Sequence, residues 1–310
     1  MRTRFTSKPT AALALVALLI FLVAGLAACG SEETATTEET ATTTVAPGES
    51  NSTTSSAPTT AQELTVSAAS SLKAAFTDIG AAFDKANNAK TTLNFDASGT
   101  LQKQIEAGAP VDVFASAAPK QVNALLDKNL VDKDSVKNFA GNEIVIIVPA
   151  NSTLNIASFE DLTKADVKKV TYGDPKTAPH GVAAEEIMTK LGIMDQVKPK
   201  VIYGSNVSAA LEYVTKGEVD AGIIFATEAK TAGDKVKIVA TSEPDWHSTI
   251  IYPLAVVSAS ADKALAQTFV DFVLGTEGQA ILQEYGFLPP PDTTADTTAT
   301  TAASGTTTAE

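Results

Sequence analysis

The chain has 310 residues, with 23 Lys+Arg against 36 Asp+Glu, a net charge of −13, 44% hydrophobic residues and one cysteine. That balance lacks the basic face a nucleic-acid binder needs. A single cysteine excludes an internal disulfide, so stability must come from a packed core.

Arg2, Arg4 and Lys8 precede an almost wholly apolar run from Ala11 to Ala28. A basic start, an apolar stretch and small residues at its end read as a signal peptide over residues 1–28, although the run is also about as long as a membrane span. Leu26-Ala27-Ala28-Cys29 resembles the lipobox of bacterial lipoproteins, which implies lipidation at Cys29 and a membrane anchor. Residues 29–62 are rich in Thr, Ser and Glu and too poor in apolar side chains to offset their ordering entropy, so they read as a disordered tether. Residues 289–310 repeat that composition and read as a disordered tail.

Between these ends, short apolar runs alternate with amphipathic segments. "ELTVSA" reads as a strand, Leu72 to Ala86 as a helix, "TTLNFDAS" as a strand, Gly99 to Ala107 as a helix and "VDVFAS" as a strand. Pro119 opens a helix containing Val122, Leu125 and Leu126. "EIVIIVP" is a buried-looking strand at Glu143 to Pro149. A second series follows: a helix near Phe159, "VTYGD", a helix from about Val182 to Leu191, "PKVIYG", a helix from about Ser208 to Thr215, "VDAGIIFA" and "VKIVATSE". The strand "TIIYPLAVVS" and two helices close the domain. This is an α/β order, which implies mostly parallel sheets covered by helices. The two long apolar strands suggest crossings between two lobes, residues 63–143 plus 252–288 in lobe I and 144–251 in lobe II, with one continuous sheet as the alternative. No repeat period of 20 to 50 residues is visible.

Four strand-to-helix junctions carry hydroxyls or tight turns: "SAASSL" with Ser70 and Ser71, "DASGTL" with Ser98 and Thr100, "DPKTAPHGV", and "GSNVSAAL" with Ser205, Asn206 and Ser208. Each lies at the carboxyl end of a strand, where open α/β sheets bind ligands. Each helix start also offers free N–H groups, so an anion fits there without a basic side chain. The plain alternative is ordinary N-capping. The spacing alone supports only a small polar ligand. Enzymatic signatures are missing: His180 and His247 form no metal-ligand spacing, and no GxSxG, SxxK or GxxxxGK[ST] string occurs. A hydrolytic triad assembled in space stays open.

The strings "AASSLKAAF", "ASGTLQKQIEAGAPVDVFASA", "YGDPKTAPHGVAAEEIMTKLG", "NVSAALEYVTKGEVDAGIIFATEA" and "YPLAVV…EYGF" resemble, in this order, the molybdate-binding proteins that feed ABC transporters. The resemblance implies a two-lobed type II periplasmic-binding-protein fold that closes on molybdate or tungstate, with no cofactor, no metal beyond the oxyanion and no enzymatic activity. It implies hydroxyl and backbone donors at Ser71 and Ser98, and backbone N–H donors at His180 and Val207. The family's tyrosine position is Phe225, which cannot donate. Either the His180 imidazole, directly or through a water, replaces that phenol, or its ring points to solvent and only its backbone serves. The implied partners are an ABC permease and, through Cys29, the outer face of the cell membrane, with the chain a monomer. A receptor for another tetrahedral oxyanion such as sulfate is the near alternative, and a surface adhesin or hydrolase lipoprotein the distant one. A site offering only donors disfavours phosphate, whose proton needs an acceptor.

Phe76, Phe83, Phe95, Phe114, Phe269 and Phe272 read as core. Glu185 and Glu186 read as solvated helix surface, and Trp246 has no assigned place.

Overall fold

The computed structural model describes residues 61–291. The predicted signal, Cys29 with its anchor, the tether to residue 60 and the tail from residue 292 lie outside the described residues.

The first lobe begins with β1 (Gln62–Ala69), α1 (Lys73–Asn87), β2 (Ala89–Asp96), α2 (Ser98–Glu106), β3 (Val113–Ala115), α3 (Pro119–Leu126) and β4 (Lys137–Gly141). The second lobe follows with β5 (Ile144–Pro149), β6 (Val170–Gly173), α4 (Pro179–Lys190), α5 (Met194–Val197), β7 (Val201–Gly204), α6 (Val207–Thr215), β8 (Ala221–Phe225), α7 (Ala226–Ala232) and β9 (Val236–Thr241). The chain then returns to the first lobe as β10 (Ile251–Val256), α8 (Lys263–Leu274) and α9 (Thr276–Glu284).

Each lobe holds one five-stranded sheet, ordered β2-β1-β3-β10-β4 and β7-β6-β8-β5-β9. In each, four strands run one way and the fourth in order, β10 or β5, runs against its neighbours. The reversal follows from the crossings. A parallel strand ends at the cleft, so a chain stepping directly across enters the other sheet from its cleft end. β5 and β10 are the first strands after the two crossings, and each is buried along nearly its whole length. Strands covered on both faces read as continuous apolar runs, which is why these two stand out in the sequence. Pro253 cannot donate to the ladder, and the register of β10 against β4 shifts at Tyr252/Pro253 to accommodate it.

Burial of Ala75, Phe76, Ile79 and Phe83 along one face docks α1 onto the sheet. Phe83 and Phe269 meet edge to face at 5.0 Å, and Phe76 and Phe269 at 6.1 Å. Phe76, Phe83, Phe114 and Phe269 are fully buried as expected, whereas Phe95 and Phe272 are only partly covered. Trp246 packs edge-on against Phe159 at 5.8 Å.

Several elements differ from the sequence reading, α5 and α7 among them, neither of which it included. β4 was not foreseen, because Lys137 and Asn138 break the apolar run of this edge strand. The predicted helix near Phe159 is a single 3-10 turn, Glu160–Thr163. α4 starts at Pro179, three residues earlier than its periodicity suggested, with proline in the first turn. That shift places His180 in a first turn.

Candidate anion-binding site between the lobes

Strands β1, β2, β6 and β7 all end at the cleft, and the element after each begins there. Ser71 is the second residue of the 3-10 turn Ser70–Leu72 that leads into α1, and Ser98 is the first of α2. His180 is the second residue of α4, and Val207 the first of α6. Backbone N–H groups at these positions have no acceptor within their own helix. These four residues and Phe225 line one cavity of about 10 Å³. That is on the order of the space one water-sized body needs, far below the roughly 300–1,000 Å³ of an ordinary organic-ligand pocket.

The capping alternative fails at three junctions. The residues before the 3-10 turn, α2 and α4 are Ala69, Ala97 and Ala178, which make no side-chain cap bond. Only Asn206 caps, its Oδ1 accepting the Ala209 N–H at 3.0 Å. Ser98 Oγ accepts the Ala117 N–H at 3.0 Å, and Ser71 Oγ accepts the Tyr252 hydroxyl at 3.1 Å. With their oxygens engaged by protein donors, both serines keep their own protons for the cavity. Ser70 also lines the cavity without capping anything.

His180 is 1% exposed, so its ring does not point to solvent. The imidazole lies 5.6 Å from the Phe225 ring, and its Nε2 is buried without a hydrogen-bond partner. Burial pushes its pKa down from 6.5 to about 3, which leaves a neutral ring with one donor and one acceptor nitrogen. Gly173 makes room for it: a Cβ there would lie 2.4 Å from Cε1 and 2.6 Å from Nε2.

Among the described residues no lysine or arginine lines this cavity, and its one charged lining residue is Asp96. The donor-only expectation is corrected here. Asp96 Oδ1 is occupied by the Ala97 N–H at 2.7 Å and by Asn206 Nδ2 at 3.2 Å. The second of these bonds links the lobes, as does Gly99 N–H to the Thr177 carbonyl at 2.8 Å. A larger groove of about 590 Å³ lies on lobe II beside Trp246. Lys190 on its lining is paired with Asp245 at 3.5 Å, which leaves Glu185 and Glu186 to disfavour an anion. Glu186 is more than solvated surface, since it accepts the Ser248 N–H at 2.7 Å and the Ser248 hydroxyl at 3.2 Å.

Two mixed sheets, two crossings and a cavity closed from both sides define a two-lobed periplasmic-binding-protein fold. The chain belongs to the bacterial extracellular solute-binding proteins, whose sequence profile matches residues 64–288. It is 37% identical over 225 residues to YvgL of Bacillus subtilis, a candidate ABC transporter substrate-binding lipoprotein, covering 72% of this chain and 85% of that one. It is 35% identical over 229 residues to the molybdate-binding protein ModA of Haemophilus influenzae, covering 73% and 89%. Among solved structures it matches the substrate-binding domain of a candidate molybdenum ABC transporter of Clostridium difficile, with TM-score 0.59, 36% identity and coverage of 74% and 100%.

Behind the cavity, α7 buries Glu228, whose Oε2 accepts the Thr227 hydroxyl at 3.1 Å. Sequence reading missed it because the preceding apolar run hid the helix. Burial pushes this carboxyl up from 4.5 to about 8, so it is neutral at neutral pH. Its contribution to stability is complete below pH 4.5 and is lost as pH rises through about 8. His180 acts with the opposite sign, its contribution being complete above pH 6.5 and lost as pH falls toward 3. The two oppose each other between 4.5 and 6.5, so Glu228 is read alone from 6.5 to 8. Wild-type stability is expected to fall there by up to about 1.4 kcal/mol per pH unit. Urea unfolding of Glu228→Gln across that window should show the slope abolished; an unchanged slope contradicts the burial argument.

Proposed function

We propose that this protein captures molybdate or tungstate between its lobes outside the cytoplasm and delivers it to an ABC permease, held to the membrane by a lipid on Cys29. The observation that carries this reading is the meeting of four first-turn N–H groups and two serine hydroxyls around a cavity too small for an organic solute. Backbone N–H groups at helix starts bind anions without a cationic side chain. The relatives named for molybdate or molybdenum carry the choice of oxyanion. Five or six charge-assisted bonds of about 1.5–3 kcal/mol each give a gross term near 8–18 kcal/mol. Association and lobe ordering oppose it by several kcal/mol. The balance lies in the micromolar to nanomolar range.

A thermal-shift panel tests the reading. Molybdate and tungstate at about 1,000 times Kd should each stabilise the protein by about 4 kcal/mol, with sulfate and phosphate inert. Sulfate alone stabilising would move the assignment to sulfate. A phosphate response would mean that Asp96 accepts the ligand's proton, and silence to all four would end the reading.

His180 takes the place of the phenol that Phe225 lacks. His180→Ala is therefore expected to weaken molybdate binding by roughly one to two decades, the worth of one hydrogen bond to a charged group. Adding Phe225→Tyr to His180→Ala should recover most of that loss by calorimetry. Unchanged affinity in His180→Ala removes the imidazole from the site.

Closure depends on Gly99, where a Cβ would lie 2.8 Å from both the Cα and the carbonyl oxygen of Thr177 across the cleft. Gly99→Ala should weaken molybdate binding at least tenfold by calorimetry, because the Cβ obstructs this approach of the lobes. Full affinity in that variant would mean the lobes need not approach this closely.

A further inference from the structure

Tyr252 sits in β10 with its side chain fully buried, ring to ring with Phe139, Phe225 and Phe287. Its hydroxyl oxygen accepts Asn142 Nδ2–H at 3.1 Å, and its proton goes to Ser71 Oγ at 3.1 Å. Asn142 lies at the first crossing, between β4 and β5. Its amide cannot be reversed without loss, because its Oδ1 accepts the Glu143 N–H at 2.9 Å while Nδ2 also donates to Thr227 Oγ1 at 2.9 Å. Thr227 in turn donates to Glu228. The bonds run outward from the Asn142 amide, one branch through Tyr252 to Ser71 and the other through Thr227 to Glu228. The phenol has one proton, and Ser71 Oγ is the acceptor in reach.

We infer that Tyr252, aligned by Asn142, is the positioning residue that turns Ser71 into a proton donor toward the bound oxyanion, an inference that rests on the oxyanion reading. A serine hydroxyl rotates and either donates or accepts. With the phenol proton on one of its two lone pairs, Ser71 turns its own proton to the oxyanion, which carries no hydrogen to donate. Asn142 therefore aligns Ser71 of lobe I from the crossing itself, while its second bond to Thr227 ties the same amide to lobe II. Tyr252 does not line the cavity and acts through Ser71 alone.

A double-mutant cycle on the full chain, titrated with molybdate by calorimetry, separates this from a packing role. Tyr252→Phe should weaken binding at least fivefold in the wild-type background. In the Ser71→Ala background the same change should alter affinity less than twofold, since the group it orients is gone. Equal losses in both backgrounds, or no loss in the first, overturn the inference while wild-type binding keeps the oxyanion reading. A wild-type protein that binds neither molybdate nor tungstate overturns both. Should Tyr252→Phe fail to fold, Asn142→Leu takes its place in the cycle with the same non-additivity expected and the same overturning outcomes.

Discussion

Four helix N-termini aimed at one small space repel one another unless something negative lies between them. Each carries the equivalent of about +0.5 elementary charge, so the four together present about +2, the charge of a tetrahedral dianion with its sign reversed. Nothing on the protein supplies that charge in full. Asp96, lying between α2 and the capped start of α6, meets part of it through Ala97 and Asn206. The closed arrangement is thus one that an anion completes, and the fold serves mainly to aim those four turns. Parallel strands end at the cleft, helices begin where they end, and the reversed β5 and β10 let the chain cross twice without disturbing that order.

Most of this aim was legible in the sequence, because a strand of period two passing into a helix of period 3.6 marks a junction whatever lies elsewhere. All four junctions, "DPKTAPHGV" with His180 among them, were legible this way, but the choice of Ser71, Ser98, His180 and Val207 within them came from the family resemblance, and the structure then moved the start of α4 to Pro179. What stayed hidden is what depends on distant partners. Whether the His180 ring is buried depends on the space over Gly173. Asp96 enters the site only because Asn206, 110 residues away, reaches it across the cleft. The bond from Tyr252 to Ser71 spans 181 residues. One local signal could have found it: a lone phenol within the apolar run "IIYPLAVV" must bury its hydroxyl, and a buried hydroxyl finds a partner.

The buried polar chain behind the cavity explains why neutral groups suffice. A charged lysine in that position would bind the anion even with the lobes apart, and would hold any dianion nearly alike. Oriented dipoles are selective because their value falls steeply once donor and acceptor leave hydrogen-bond distance and angle. Such orientation requires a rigid support, and Asn142, Tyr252 and Thr227 provide one in which each hydrogen bond has a defined direction. A half-satisfied network of this kind would cost more than an apolar core.

Division of the donors between the lobes then ties affinity to closure. On the proposed reading, lobe I contributes Ser71 and Ser98, and lobe II contributes His180 and Val207. Either half alone offers about half of the bonds, and at about 1.5–3 kcal/mol each that is too little to hold a strongly hydrated ion against water. Both halves together replace the hydration shell in one step. A carrier built this way binds tightly while the lobes touch through Gly99 and Thr177, and weakly as soon as they part. Release therefore needs no chemistry at the anion, only a force that separates the lobes.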